Sequence, residues 1–309
     1  MGAAWTALLA EVPLVSHIQL AEWAEATSDE AHDDDSRWFV AEDDQGPVAV
    51  IPYQVNVRRF GPLRVRAMAN MRVTDGLVAP RLRAEDLRGA LLAAAADDGE
   101  PLDVLSLNGL RPGMAFLRLA VAAPSGIQAE ARYGGHSVID TGVSGEEWFA
   151  ATSKNLKASL RKARNRFERR GAMTVTTATA RDEVEAAFDE YVAIEATGWK
   201  AEAGALANRP VEHALLRHFL LGAADSGRVS VRTLRLDGRP AAAQLSSLTT
   251  GTLELHKVAY DEDLADLSPS NLLMADLIRD CCDSPDVTRI DLLTNQTWHD
   301  RWHADVHPT

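Results

Sequence analysis

The stretch from His256 to Trp302, HKVAYDEDLADLSPSNLLMADLIRDCCDSPDVTRIDLLTNQTWHDRW, decides the fold. It reads as a strand, a loop, a capped helix and a second strand. The loop closes on Ser268-Pro269, an N-cap residue followed by a proline at the first helical position. The helix runs from Pro269 to Cys282 and the strand after it from Arg289 to Leu293. A helix that starts directly after a strand aims its first-turn N–H groups at whatever lies in front of it, and anions bind there readily. Ser268, Ser270, Asn271 and Leu272 are therefore the expected donor-binding residues.

Working outward, the same order of elements occurs twice. Upstream of the quoted stretch, Val229–Leu236 and Pro240–Leu248 flank Asp237-Gly238, a strong hairpin signal. Thr249-Thr250-Gly251 then turns the chain into Thr252–Tyr260. In the first half, Arg37–Ala41 and Val48–Val57 flank the turn Asp43-Asp44-Gln45-Gly46. Leu63–Ala69 reads as a third strand, Glu85–Ala96 as a helix rich in Ala and Leu, and Leu102–Leu107 as a further strand. Helices precede each unit: Val15–Ala26 in the first, Arg181–Trp199 and Val211–Ala224 in the second. The repeat is one of architecture, without residue-level identity. The reading is an α/β (α+β) chain of two tandem domains, 1–138 and 139–309. Each is a mixed, mostly antiparallel sheet flanked by helices, and the two meet near the glycine-rich Gly134–Gly145.

Composition narrows the function classes. The 309 residues are 46% hydrophobic and 25% charged, values that fit a soluble globular protein with a sizeable core. No apolar run has the length of a membrane span, and the acidic N-terminal segment does not read as a signal peptide, so a cytoplasmic location is expected. Cys281 and Cys282 are the only cysteines and are adjacent in sequence, which suits two structural thiols in a reducing compartment. The net charge of −13 argues against a general nucleic-acid coat protein. One segment runs the other way: between Lys154 and Arg170 eight basic residues face the single acid Glu168. Leu156, Leu160, Ala163 and Phe167 recur at helical spacing there, so the bland reading is an amphipathic helix with a solvated face. On the sharper reading Lys154, Lys157, Arg161 and Arg164 contact phosphate, on a small molecule or a tRNA.

Three blocks together carry a resemblance. They are the basic helix SKNLKASLRKARNRFERRG, the helix end YVAIEATGWK, and HKVAYDEDLADLSPSNLL followed by IDLLTNQTWHDRW. From about Glu147 to Trp302 the chain resembles the GNAT (N-acetyltransferase-like) fold. More narrowly, it is similar to the acetyltransferase-like domain found alongside bacterial cellulose-biosynthesis proteins, a relative of the FemABX peptidyltransferases. Two departures stand out: Ser270 replaces the glycine of the family's Ser-Pro-Gly, and Trp298-His299 replaces its aromatic-Lys pair. The resemblance implies a degenerate first domain and a second domain that performs acyl transfer to an amine. The co-substrate is then an acyl-CoA or, as in the FemABX relatives, an aminoacyl-tRNA, with no tightly bound cofactor and no metal. A catalytically inactive binding module of the same fold stands as a further alternative. The acceptor, a small-molecule amine or amino sugar, and the oligomeric state are not legible.

Acyl transfer needs a polarised carbonyl, a group that takes the amine's proton and a group that protonates the leaving atom. Strict alternation along Thr252–Tyr260 places Glu254, His256, Val258 and Tyr260 on one face. Glu254, His256 and Tyr260 form the expected catalytic row, with Tyr260 nearest the donor loop. Trp199, Asp291, Trp298 and His299 are the expected substrate-binding residues. Plain structural roles compete for each: a satisfied strand histidine, a cross-strand carboxylate, a packed tyrosine ring, core tryptophans. His299, His303 and His307, spaced by four, could share a helical face and bind a metal, but Pro308 argues for an irregular tail. The run His32-Asp33-Asp34-Asp35 could likewise chelate a cation, although acidic loops are ordinary in so acidic a chain.

Overall fold

A computed structural model describes residues 2–12, 14, 16–31, 36–60, 63–69, 75–96, 104–106, 114–115, 135–197 and 204–308. Trp199 and the run 32–35 lie outside them. The chain divides into two compact units, Met1–Tyr133 and Gly134–Pro308.

The first unit contains α1 (Gly2–Leu9), α2 (Ala21–Ala31), β1 (Ser36–Asp43), β2 (Gly46–Phe60), β3 (Leu63–Ala69), β4 (Leu77–Val78), α3 (Ala84–Ala96) and β5 (Val104–Ser106). β1, β2 and β3 are antiparallel neighbours, and β5 returns parallel to β3. Alternation along β2 explains the layering: Ala49, Ile51, Tyr53 and Val55 pack with Leu87 and Leu91 of α3, whereas Val48 and Val50 pack with Trp5 and Leu8 of α1. The expected helix Val15–Ala26 is broken. A 3-10 turn at His17–Gln19 precedes α2, and Leu20 between them is extended. Asp75 imposes the break. Its N–H donates to the Ile18 carbonyl and its carboxylate accepts from Gln19 Nε2 at 2.9 Å, which holds the 3-10 turn in place ahead of α2.

The second unit contains β6 (Gly135–Asp140), α4 (Gly145–Ala151), α5 (Lys154–Arg170), β7 (Met173–Ala178), α6 (Arg181–Thr197), α7 (Pro210–Ala224), β8 (Val229–Leu236), β9 (Arg239–Thr249), β10 (Thr252–Tyr260), α8 (Pro269–Asp283), β11 (Arg289–Asp291) and β12 (Asp305–Pro308). The sheet order is β12-β6-β11-β10-β9-β8-β7, and β10 with β11 is its parallel pair. The order antiparallel meander, helix, parallel strand is thus the same as in the first unit. The stretch Gly134–Gly145, where the two halves were expected to meet, holds the strand β6, and the second compact unit begins at Gly134. Asp237 and Gly238 both take positive φ, as the tight β8–β9 hairpin demands.

One face of this sheet packs on α4, α5 and α8 through Ile139, Leu234, Leu253, Leu255 and Ile290 against Trp148, Leu160, Phe167, Leu273 and Ile278. Polar side chains confirm which face is which. Arg232 of β8 reaches Asp276 at 2.6 Å and also Asp280, both on α8, and Gln244 of β9 donates to the Met274 sulfur at 3.6 Å. The guanidinium is nearly buried, whereas Asp280 is open to water. The two sides of this cluster are therefore unequal. Replacing both Asp276 and Asp280 with alanine strands a buried cation and should cost about 3 kcal/mol; Arg232→Leu should cost no more than about 1 kcal/mol, because the acids can hydrate. Denaturant unfolding compares the two, and equal losses would contradict the assignment.

Candidate active site

The expected catalytic row is split. β10 carries a bulge between Leu255 and Lys257: Leu255 pairs with Ser246 of β9 and Lys257 with Leu245, so His256 is an extra residue. An extra residue resets the alternation. Glu254, opposite Ser247, and His256, whose Nε2 lies 2.8 Å from Ser247 Oγ and whose ring meets Phe219 of α7 edge-on, occupy the α6/α7 face. Val258 and Tyr260 occupy the α8 face, with Gln244 and Met274.

On that face a cavity of about 470 Å³ is lined by Tyr260, Gln244, Met274, Ser268, Ser270, Asn271, Trp298, Arg301 and Trp302, among others, a volume suited to a small ligand or part of a larger one. Ser268 adopts the left-handed conformation, φ 53°, and makes no side-chain cap; Pro269 follows as the first residue of α8. The Leu272 N–H bonds back to the Ser268 carbonyl at 3.2 Å, and its side chain is buried, so Leu272, expected among the donor-binding residues, does not line this cavity. Ser270 and Asn271 are left to offer first-turn N–H groups. Asn271 Oδ1 accepts from Arg301 at 3.5 Å, which brings a cation to the same end of the helix. Trp298 is 41% exposed at the cavity and free to stack on a ligand.

His299 is buried beneath it rather than lining the cavity. Its Nδ1 accepts the Gln296 N–H at 3.3 Å, its ring meets Trp298 edge-on at 4.1 Å, and burial holds its pKa below the usual imidazole value. It packs against Trp298 and, unlike Trp298, does not line the cavity. His299 sits in a short 3-10 helix, His303 is left-handed and His307 is in β12, so the spacing by four never becomes one helical face. Among the described residues no group of His, Cys, Asp and Glu could hold a metal ion.

β10 and β11 share a ladder only from Thr252/Arg289 to Glu254/Asp291. Beyond it β11 turns aside at Leu293, φ 60°, while β10 runs on to Tyr260. The opening starts one residue before the bulge. Glu254 and Asp291, adjacent on that face, are both buried. Neither cysteine competes as a nucleophile: burial pushes the Cys281 thiol up to about 12 and the Cys282 thiol up to about 11, so both are protonated at neutral pH. Lys154, Lys157, Arg161 and Arg164 lie along one side of α5, whose apolar side is buried against α8 and the 3-10 helix Glu262–Leu267; Lys157 is tied to the Ala150 carbonyl at 2.7 Å. Sequence reasoning missed Arg301, Gln244 and Met274. Arg301 was visible beside Trp302, but the other two join the site only through strand and helix pairing.

Residues 154–302 match the family model described as acetyltransferase (GNAT) domain. No curated protein sequence matches the chain. Among solved structures the fold is similar to that of FemX, with a TM-score of 0.63 and 11% identity over 99% of this chain and 93% of that one. It is also similar to a conserved protein of unknown function from Bacteroides thetaiotaomicron, with a TM-score of 0.57 and 13% identity over 98% and 93% of the two chains. A third is the C-terminal domain of a provisionally named lysylphosphatidylglycerol synthetase from Agrobacterium fabrum, with a TM-score of 0.51 and 16% identity over 93% and 90%.

Proposed function

Given that residues 154–302 make the second unit an acyltransferase of the GNAT superfamily, we propose that it moves an acyl group from an acyl-CoA to the amine of a small molecule or amino sugar. The observation that carries this reading is the cavity at the start of α8, which joins Tyr260 to Ser270, Asn271 and Arg301. The pyrophosphate of CoA meets the first-turn N–H groups and the Arg301 guanidinium, an arrangement that favours anions. Trp298 stacks on the ligand. The thioester lies in the opening between β10 and β11, where β10 past Glu254 no longer pairs with β11 and its backbone polarises the carbonyl. Tyr260 protonates the departing sulfur. The acceptor comes from the other face, where Glu254 and His256 stand. Trp199, outside the described residues, is kept as an acceptor-side contact.

A second reading replaces acyl-CoA with aminoacyl-tRNA. It is favoured by the basic side of α5, a helix whose opposite, apolar side packs on the 3-10 helix that leads into Ser268, and it would occupy Lys154, Arg161 and Arg164 with backbone phosphates. The first unit is then a degenerate copy of the second.

Thermal unfolding separates the two. A ligand bound only by the folded chain stabilises it by about 2.7 kcal/mol at a hundredfold excess over its Kd. Acetyl-CoA and CoA are expected to raise the Tm at low and moderate salt alike. A rise with aminoacyl-tRNA only, lost with salt, would select the second reading. No rise with any of them would overturn both.

A further inference from the structure

The α6/α7 face of the second sheet holds a histidine that the donor cavity does not use. His136 of β6 places Nδ1 2.8 Å from Asp291 Oδ1. The same oxygen accepts the Leu293 N–H at 2.7 Å, so the carboxylate is fixed from two sides. An imidazole that donates through Nδ1 to a carboxylate carries its lone pair on Nε2. That nitrogen makes no hydrogen bond among the described residues, and the side chain keeps 12% exposure. The other proton-handling groups on this face are differently placed. Glu254 is wholly buried, and His256 spends Nε2 on Ser247.

The register puts His136 where the chemistry is. Val138 pairs with Asp291, the last rung of β11, and the Ser137 N–H continues to the Thr294 carbonyl at 2.9 Å. His136 therefore stands level with the point at which β11 turns aside, one strand removed from β10, with β11 and its continuation between them. It precedes the segment matched by the family model.

We propose that His136 is the base that takes the acceptor's proton and that Asp291 is its positioning residue. The inference rests on the acyl-transfer reading above. The acceptor arrives as an alkylammonium ion, drawn by the buried pair Glu254 and Asp291, and gives one N–H proton to His136 Nε2. The freed lone pair attacks the thioester carbonyl carbon. The C–N bond forms and the C–S bond breaks; the sulfur leaves as thiolate. It takes a proton from Tyr260, which recovers one from the new amide nitrogen, and His136 returns its proton to solvent. The acceptor class follows: a primary amine that is protonated at neutral pH and needs a base to react.

The test measures thiol release from acetyl-CoA with glucosamine, lysine or putrescine as protonated amines, and with hydroxylamine, which is unprotonated at neutral pH. His136→Gln is expected to lose about 10²-fold or more in rate with the protonated amines, the usual contribution of a general base, and to keep its rate with hydroxylamine within about threefold. CoA should raise its Tm as it does that of the wild type. The acid limb of the kcat/KM profile should vanish in His136→Gln and shift in Asp291→Asn. Asp291 and Arg289 on β11, Glu254 and His256 on β10, and His307 and Asp305 on β12 are the charged and titratable groups placed on the same face by the register, the His307 ring being 5.8 Å away. Equal losses with both kinds of nucleophile, or no loss, would overturn the base assignment while leaving the donor reading intact. CoA binding without turnover of any amine would overturn the amine step. A wild type that neither binds CoA nor releases thiol would overturn the donor reading and this inference together.

Discussion

Trp302→Ala is expected to destabilise the second unit by about 3–5 kcal/mol, the range for truncating a large aromatic residue in a packed core. Trp302 is fully buried and stacks on Trp148, with ring centroids 6.5 Å apart and planes 18° from parallel. It also lines the cavity at the start of α8. Its truncation therefore removes core volume and a cavity wall at once. Trp302→Phe should recover much of the stability, because the indole N–H has no partner among the described residues and nothing polar is lost with it. Urea unfolding gives both values. A loss below about 1 kcal/mol for the alanine variant would mean that this corner of the core is not packed as described.

The second large effect is on rate. Tyr260→Phe is expected to lower kcat for acyl transfer about 10²-fold, at the lower end of what a positioned proton donor contributes, with the KM for acyl-CoA and the CoA-induced rise in Tm nearly unchanged. The ring stays to line the cavity; only the hydroxyl goes. Steady-state kinetics with acetyl-CoA decides it. An unchanged kcat would remove Tyr260 from leaving-group protonation, and a raised KM with constant kcat would make it a binding residue.

Local chemistry made much of this fold legible. Pro269 and Asp237-Gly238 carry their conformations in their own residue types, and β8, β10 and the start of α8 lie where the turn and proline signals put them, although Ser268, read as an N-cap, is left-handed and makes no side-chain cap. The failures share one cause. Whether His256 is in register with β9 depends on which partner residues the ladder skips, and a bulge has no local signature here, so alternation misassigned Tyr260 relative to Glu254. β6 was hidden for a related reason. Gly134 and Gly135 look like a linker, and only pairing with β11 and β12 makes Gly135–Asp140 a strand. His136 and its bond to Asp291, 155 positions away, were invisible with it. His299 was misread because its neighbour Trp298 takes the exposed position and leaves the imidazole beneath.

The place of β6 also governs how the unit comes into being on the ribosome. It is made first, yet its two neighbours in the sheet are β11 and β12, which are made last. At a synthesis rate of about 5–20 residues per second, β6 waits roughly 8–30 s for the strands that cover its edges. During that interval Val138 and Ile139, both buried in the finished sheet, have no native strand to lie against. The nascent chain thus offers an apolar strand with two open edges for as long as the rest of the unit takes to emerge. Chaperone engagement of this segment is expected to persist until β12 has left the exit tunnel.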